Sequence, residues 1–160
     1  MVWQLRRANT DDVGAIMEIE HASFGNDAWT AQGMRSEVAN PQCHYLVAHR
    51  SGFPGVIEGY AGLFCPRGAH ESDVQTIAVA ASARRTGLGR LLVQSLIAEA
   101  RDRGATQVFL EVRADNPGPK VLYGELGFVE IAVRVAYYQP DGVDAIVMRL
   151  EIPPAQTSLA

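Results

Sequence analysis

Apolar positions recur along this chain with one of two periods, every second residue or every third to fourth, and the switches between the periods divide it into elements. Val2 to Arg6 reads as a short first strand. Asn9 or Thr10 then offers a side-chain acceptor for a helix cap. Val13, Ile16, Met17 and Phe24 follow at helical spacing behind Asp11 and Asp12, whose charges suit the positive end of the helix dipole. Gly25, Asn26 and Asp27 interrupt the pattern. Thr30 can cap a second helix through Val38, which must stop before Asn40-Pro41 because a residue preceding proline avoids the helical region. Helix, loop and helix here form either one wall of a site or a plain connector with Trp29 plugged into the core.

His44 to Arg50 alternates as a strand, SGFPG makes a turn, and Val56 to Cys65 gives the returning strand of a hairpin. Gly59 and Gly62 inside it predict a bend or bulge. The run Val74 to Val79 is a strand that gives way to a glycine-rich turn and an amphipathic helix carrying Leu88, Leu91, Leu92, Leu96 and Ile97. That helix closes at Gly104, with Arg101 and Arg103 near its end. Thr106 to Val112 is almost continuously apolar, which predicts a strand buried on both faces. Asn116 is placed to cap a short helix with Pro117 at its first position and Pro119 in its first turn. This helix bears Val121, Leu122, Tyr123 and Leu126 and stops at Gly127. Phe128 to Tyr138 and Ala145 to Leu150 complete an antiparallel pair across Gln139-Pro140-Asp141-Gly142. The order β-α-α-β-β-β-α-β-α-β-β predicts a mixed α/β fold in one domain over residues 1–151, with a polar, proline-containing tail, residues 152–160, expected to fray.

Composition narrows the classes without choosing among them. At 160 residues and 48% hydrophobic content the chain can build one sizeable core but not two. A net charge of −4 argues against a dedicated nucleic-acid binder. The longest apolar runs are strand-sized and MVWQLRRANTDD contains no apolar stretch, so neither a membrane span nor a signal peptide is expected and the compartment expected is the cytoplasm. Cys43 and Cys65 lack the spacing of a redox or metal pair and read as plain thiols. The four histidines lack metal-ligand spacing, so no metal is expected.

Chemistry concentrates in ASARRTGLGRLLV, Ala81 to Val93. Gly87 and Gly89 remove Cβ atoms where a bulky anion would touch the backbone, and the free N–H groups of the helix start point at the same spot. Arg84 and Arg85 add cationic donors just before this diphosphate cradle. A dinucleotide-binding turn fits poorly. Its third glycine would fall at Leu92, and seven residues, Ala80 to Thr86, separate the strand from Gly87, although Glu111 mimics the ribose-binding acid.

The stretch instead resembles the pyrophosphate motif [Q/R]-x-x-G-x-[G/A] of the GNAT acyltransferases, matched by Arg84, Gly87 and Gly89. Further on, LEVRADNPGPKVLYGELGF is similar to the LEVR-x-x-N and L-Y-x-x-x-G-F signature of the RimI-type members, which acetylate the N-terminal alanine of a small-subunit ribosomal protein. The resemblance runs from TIAV, Thr76 to Val79, to AYYQPDGVDAIVM, about half of the chain. The first sixty residues match loosely; the loop SFGNDAWT is longer than the family's, and NPGPK replaces an alanine-rich helix start.

The resemblance implies a GNAT-like fold, a central, mostly antiparallel, twisted sheet of about seven strands with four helices, and acetyl-CoA as co-substrate. It implies cofactor contacts from the main chain of Ile77, Ala78 and Val79 to the pantetheine arm. Arg84, Arg85, Thr86, Gly87, Leu88, Gly89 and Arg90 are the expected diphosphate site, and Asn116 a side-chain contact. Glu111 matches the family's general base and Tyr123 the residue that protonates the departing sulfur; the bland alternatives are an ion pair of Glu111 with Arg113 or another cation, and a core tyrosine. Phe24, Trp29, Tyr137 and Tyr138 are candidates for lining the acceptor groove. The expected partner is the N-terminus of a protein or peptide, a ribosomal one by the resemblance, with no nucleic acid or membrane and a monomer or weak dimer. A small-molecule amine as acceptor, and a non-catalytic CoA-binding module, are the alternatives.

Overall fold

The computed structural model describes residues 2–153. Its strands are β1 (Trp3–Arg7), β2 (Cys43–Arg50), β3 (Gly59–Phe64), β4 (Glu71–Val79), β5 (Gln107–Arg113), β6 (Val129–Tyr138) and β7 (Val143–Glu151). The α-helices are α1 (Val13–Phe24), α2 (Ala31–Ala39), α3 (Leu88–Asp102) and α4 (Pro117–Glu125). The strands form one sheet in the order β1-β2-β3-β4-β5-β7-β6. Every neighbouring pair is antiparallel except β4 and β5.

That parallel pair sets up everything that follows. It is held only through Glu71–Gln107, Ser72–Val108 and Asp73–Phe109. Beyond these residues β4 stays paired with β3 as far as Val79, and β5 with β7 as far as Arg113. The two strands therefore part like the arms of a V, and the edge of β4 from Val74 to Val79 turns unpaired backbone toward the gap.

Helices cover both faces. Val13, Ile16 and Met17 of α1 and Met34 of α2 pack on Tyr45, Val47 and Tyr60. On the opposite face Leu88, Leu92 and Leu96 of α3, all fully buried, pack on Ala48, Ala61 and Val108, each leucine contributing ~1.5–3 kcal/mol of burial. The caps follow the sequence. The Asn9 side chain accepts from the Asp11 N–H at 2.8 Å, the Asp12 carboxylate accepts from the Asn9 N–H at 2.8 Å, and Thr30 Oγ1 accepts from the Gly33 N–H at 3.0 Å. The bulge expected in the β3 hairpin arm falls between Gly62 and Leu63. Gly62 is required there because an added Cβ would lie 2.2 Å from the Tyr45 ring.

Five details differ from the sequence reading. β3 starts at Gly59 rather than Val56, since Phe53–Val56 close a turn. β4 starts at Glu71, three residues before the β-branched run, because its first residues carry the parallel ladder to β5. β5 is not buried on both faces. Val108, Leu110 and Val112 are buried, but Glu111 faces the gap that β4 has vacated. Asn116 makes no side-chain cap bond, its backbone standing at φ −119° and ψ 85°. Finally, Ile152 is buried and its N–H donates to the Thr106 carbonyl at 2.8 Å, so the chain is anchored past Glu151; residues 154–160 of the expected tail lie outside the described residues.

Candidate active site

A cavity of about 720 Å³ fills one side of the V. Ile77, Ala78 and Val79 of β4 form its floor, Arg84, Arg85, Gly87, Leu88, Gly89 and Arg90 its phosphate-sized end, and Asn116, Leu122 and Tyr123 its far wall. Thr86, expected among these, does not line it. The Thr86 hydroxyl donates to the Ala83 carbonyl and accepts from the Trp3 indole N–H at 3.2 Å, which pins the cradle loop to β1. Arg90 is held by an ion pair with Glu125 across α3 and α4.

The cradle's backbone suits a diphosphate. Arg85 at φ 60° and Gly87 at φ 83° are left-handed, a kind of turn that can form an anion nest, and Gly87 brings no side chain to cap α3. An added Cβ on Gly89 would reach Leu122 at 3.5 Å and Val79 at 4.0 Å, that is, into the cavity rather than into the core. The unpaired edge of β4 can hydrogen-bond a ligand arm carrying amides as it would a neighbouring strand. These residues therefore fit a diphosphate joined to a peptide-like arm.

On the other side of the V lies a cleft of about 690 Å³ lined by Asp27, Trp29, Glu71, Asp73, Glu111, Arg134, Tyr137 and Tyr138. Between the two, a narrower space of about 190 Å³ shares lining residues with each, among them Phe24, Glu111, Asn116, Tyr123 and Tyr138. Glu111 thus borders the cleft and the narrow space, and Tyr123 borders the narrow space and the first cavity. Of the aromatic candidates, Trp29, Tyr137 and Tyr138 line the cleft, whereas Phe24 stands at the junction with the first cavity.

Glu111 is partly open to solvent and pairs with Arg134 Nε of β6 at 3.0 Å, not with Arg113. Tyr123 is 6% exposed, its ring tilted against Phe128 with centroids 5.9 Å apart. Burial, with the charge of Tyr138 adding to it, pushes the Tyr123 phenol up to about 12. Tyr138 is pushed up to about 12 as well, by burial first and then by Glu111. Asp73 is raised by burial and by the charges of Glu71 and Glu111. The cleft is thus rich in carboxylates and receptive to an ammonium.

Sequence reasoning missed Glu20. It is 1% exposed, and its carboxylate accepts from the Tyr60 hydroxyl, from Thr76 Oγ1 at 2.9 Å and from the Trp29 N–H at 3.0 Å, fastening the loop after α1 to the sheet beside the narrow space. The clue was available, because Glu20 falls on the apolar stripe defined by Val13, Ile16, Met17 and Phe24. Arg134 was missed because only the β6–β7–β5 pairing brings it to Glu111.

A donor with a diphosphate on one side of a splayed sheet, an ammonium-receptive cleft on the other and a carboxylate and a phenol where the two meet describe an enzyme that moves a group from one ligand to the other. The chain belongs to the acetyltransferase (GNAT) family, whose sequence profile matches residues 13–128. It is 37% identical over 141 residues to the N-alpha-acetyltransferase RimI of Mycobacterium tuberculosis, covering 86% of this chain and 85% of that one. It is 45% identical over 84 residues to the ribosomal protein bS18-alanine N-acetyltransferase of Escherichia coli, covering 51% of this chain and 57% of the relative. The crystal structure of the ribosomal-protein-S18-alanine N-acetyltransferase from Escherichia coli superimposes with a TM-score of 0.84 at 30% identity, covering 99% of both chains. The protein is an acetyl-CoA-dependent N-acetyltransferase, and its seven-stranded, mostly antiparallel sheet with four helices is the expected GNAT architecture.

Proposed function

We propose that the acceptor is the α-amino group of a protein N-terminus, an N-terminal alanine of a small-subunit ribosomal protein, which would place the reaction in the cytoplasm. Similarity to relatives named for that reaction supports this reading. The observation that carries it is the carboxylate-lined cleft opening opposite the donor cavity and meeting it between Glu111 and Tyr123.

When bound, acetyl-CoA supplies a thioester whose carbonyl carbon the amine attacks and whose sulfur departs. The nest over Arg85 to Arg90 binds the diphosphate, Ile77 to Val79 align the arm along β4, and Asn116 contacts it from the far wall. An incoming ammonium, with an ordinary pKa of about 7.7–8.0, gives one proton to the Glu111 carboxylate, directly or through water, and the free amine forms the new C–N bond. Tyr123 faces the leaving side. A phenol at about 12 keeps its proton at neutral pH. Full transfer to a thiolate whose acid titrates near 8.5 would be roughly 5 kcal/mol uphill. Tyr123 therefore donates a hydrogen bond as charge builds on sulfur and keeps its own proton; the second proton that nitrogen loses as the C–S bond breaks neutralises the thiolate through solvent.

Incubating the protein with acetyl-CoA and a peptide beginning with alanine and containing an internal lysine should yield one added acetyl group, located on the α-amine by fragment mass spectrometry. Acetyl on the lysine alone, or turnover of small amines with none of the peptide, would overturn the assignment.

A further inference from the structure

Arg113 closes β5 two residues after Glu111, and its guanidinium is shared among carboxylates from three separate segments. Nη1 donates to Asp27 in the loop after α1, Nε to Asp115 Oδ1 at 3.0 Å, and Nη2 to Asp141 Oδ2 at 3.1 Å in the β6–β7 turn. Nη2 also reaches Asp115 Oδ2 at 3.2 Å, and the guanidinium carbon lies 5.1 Å from the centroid of the Tyr138 ring. Asp27 lines the acceptor cleft, and Asp141 follows Tyr137, Tyr138 and Gln139, which line it from the other side. A single side chain thus ties the two opposed walls of the cleft to each other and to the loop that leads into Asn116.

The arms are unequal. Asp115 and Asp141 are more than half exposed, so each of those pairs is weak in water, whereas Asp27 is only 19% exposed and its pair with Arg113 is the sheltered one. The strength lies in the set: one cation stands among three carboxylates, and without it they would repel one another across the cleft mouth. A lysine could meet one of them at a time, while the planar fork of arginine meets all three.

We infer that Arg113 is a positioning residue for the acceptor, a latch that holds the loop after α1 and the β6–β7 turn at the spacing the acceptor requires. It lines the narrow space but not the donor cavity, and its ion-pair partners lie on the acceptor side, so it governs acceptor binding more than donor binding. The inference rests on the reading of the cleft as the acceptor site.

Arg113→Met keeps the length and removes the charge. The KM for the alanine-initiated peptide should rise roughly three- to thirtyfold, the range expected for a coupled network, while acetyl-CoA affinity by calorimetry stays within about twofold. Arg113→Lys should recover only part of the loss. Adding Asp27→Asn and Asp141→Asn to Arg113→Met should recover more, by removing the repulsion. Backbone amide exchange needs no acceptor. It should speed up in residues 25–30 and 138–142 of Arg113→Met and stay unchanged in α3, so the latch is tested even if the peptide proves to be the wrong acceptor. Should Arg113→Met fail to fold, Asp141→Asn, altering only an exposed arm, should still raise the peptide KM roughly two- to fivefold. Unchanged exchange in both loops, or equal losses of peptide and acetyl-CoA binding, would overturn the inference.

Discussion

Tyr123 and Glu111 flank the same narrow space in opposite settings. The phenol is enclosed by α4 and Phe128, and its raised pKa means the folded protein holds that proton more firmly than an ordinary tyrosine would. Its donor form is therefore complete at neutral pH and declines only as pH rises toward about 12, so it imposes no alkaline limb below about pH 10. Tyr123→Phe keeps the ring and removes the hydrogen bond to developing charge. It should lower kcat by ~10²-fold or more with little change in acetyl-CoA affinity, as single-turnover rates and calorimetry would check. Glu111 sits nearer solvent, paired with Arg134 and bordering the narrow space. LEVR and LYGELGF single out both residues in the sequence, but Arg134 is not singled out, since nothing local to Glu111 announces a cation twenty-three positions on.

At the level of elements, α3 and the turn before it line the cavity proposed for the donor. Leucines at helical spacing and two glycines were enough to read a helix with an open N-terminus, and that helix lies against β3 and β4 as the pattern requires. The start of β3 was set by the turn at Phe53–Val56, whereas the start of β4 and the burial of β5 were decided by the partner strand. β5 reads as a doubly buried strand because TQVFLEV is apolar, yet one of its faces is exposed by the divergence of β4, which no residue of β5 encodes. Gly89→Val tests the donor element directly. Its Cβ would meet Leu122 and Val79 at ordinary contact distances, so the fold should survive, as circular dichroism would show. The branched side chain would project into the cavity, and acetyl-CoA affinity should fall at least about tenfold by calorimetry. Unchanged affinity would place the diphosphate elsewhere.

The whole molecule is a sheet opened between two parallel strands so that ligands can meet from opposite sides. Its order of elements was readable from periodicity, because each switch of period carries a turn or cap residue such as Asn9, Thr30, Gly87 or Gly127. The acceptor side was less readable, because Glu20, Arg113 and Arg134 act through partners distant in sequence. The central claim is that a proton leaves the acceptor amine for Glu111 where the two cavities meet. The amine deprotonates unaided near pH 7.7–8.0, so a base contributes most below that range. Glu111→Gln keeps the shape and a carbonyl acceptor for Arg134 but cannot take the proton. The decisive measurement is kcat/KM against pH for both proteins with the alanine-initiated peptide. The Glu111→Gln rate should fall furthest below wild type under about pH 8 and recover part of the difference above it, with acetyl-CoA affinity unchanged. A loss of equal size at every pH would contradict the claim and reduce Glu111 to a structural partner of Arg134.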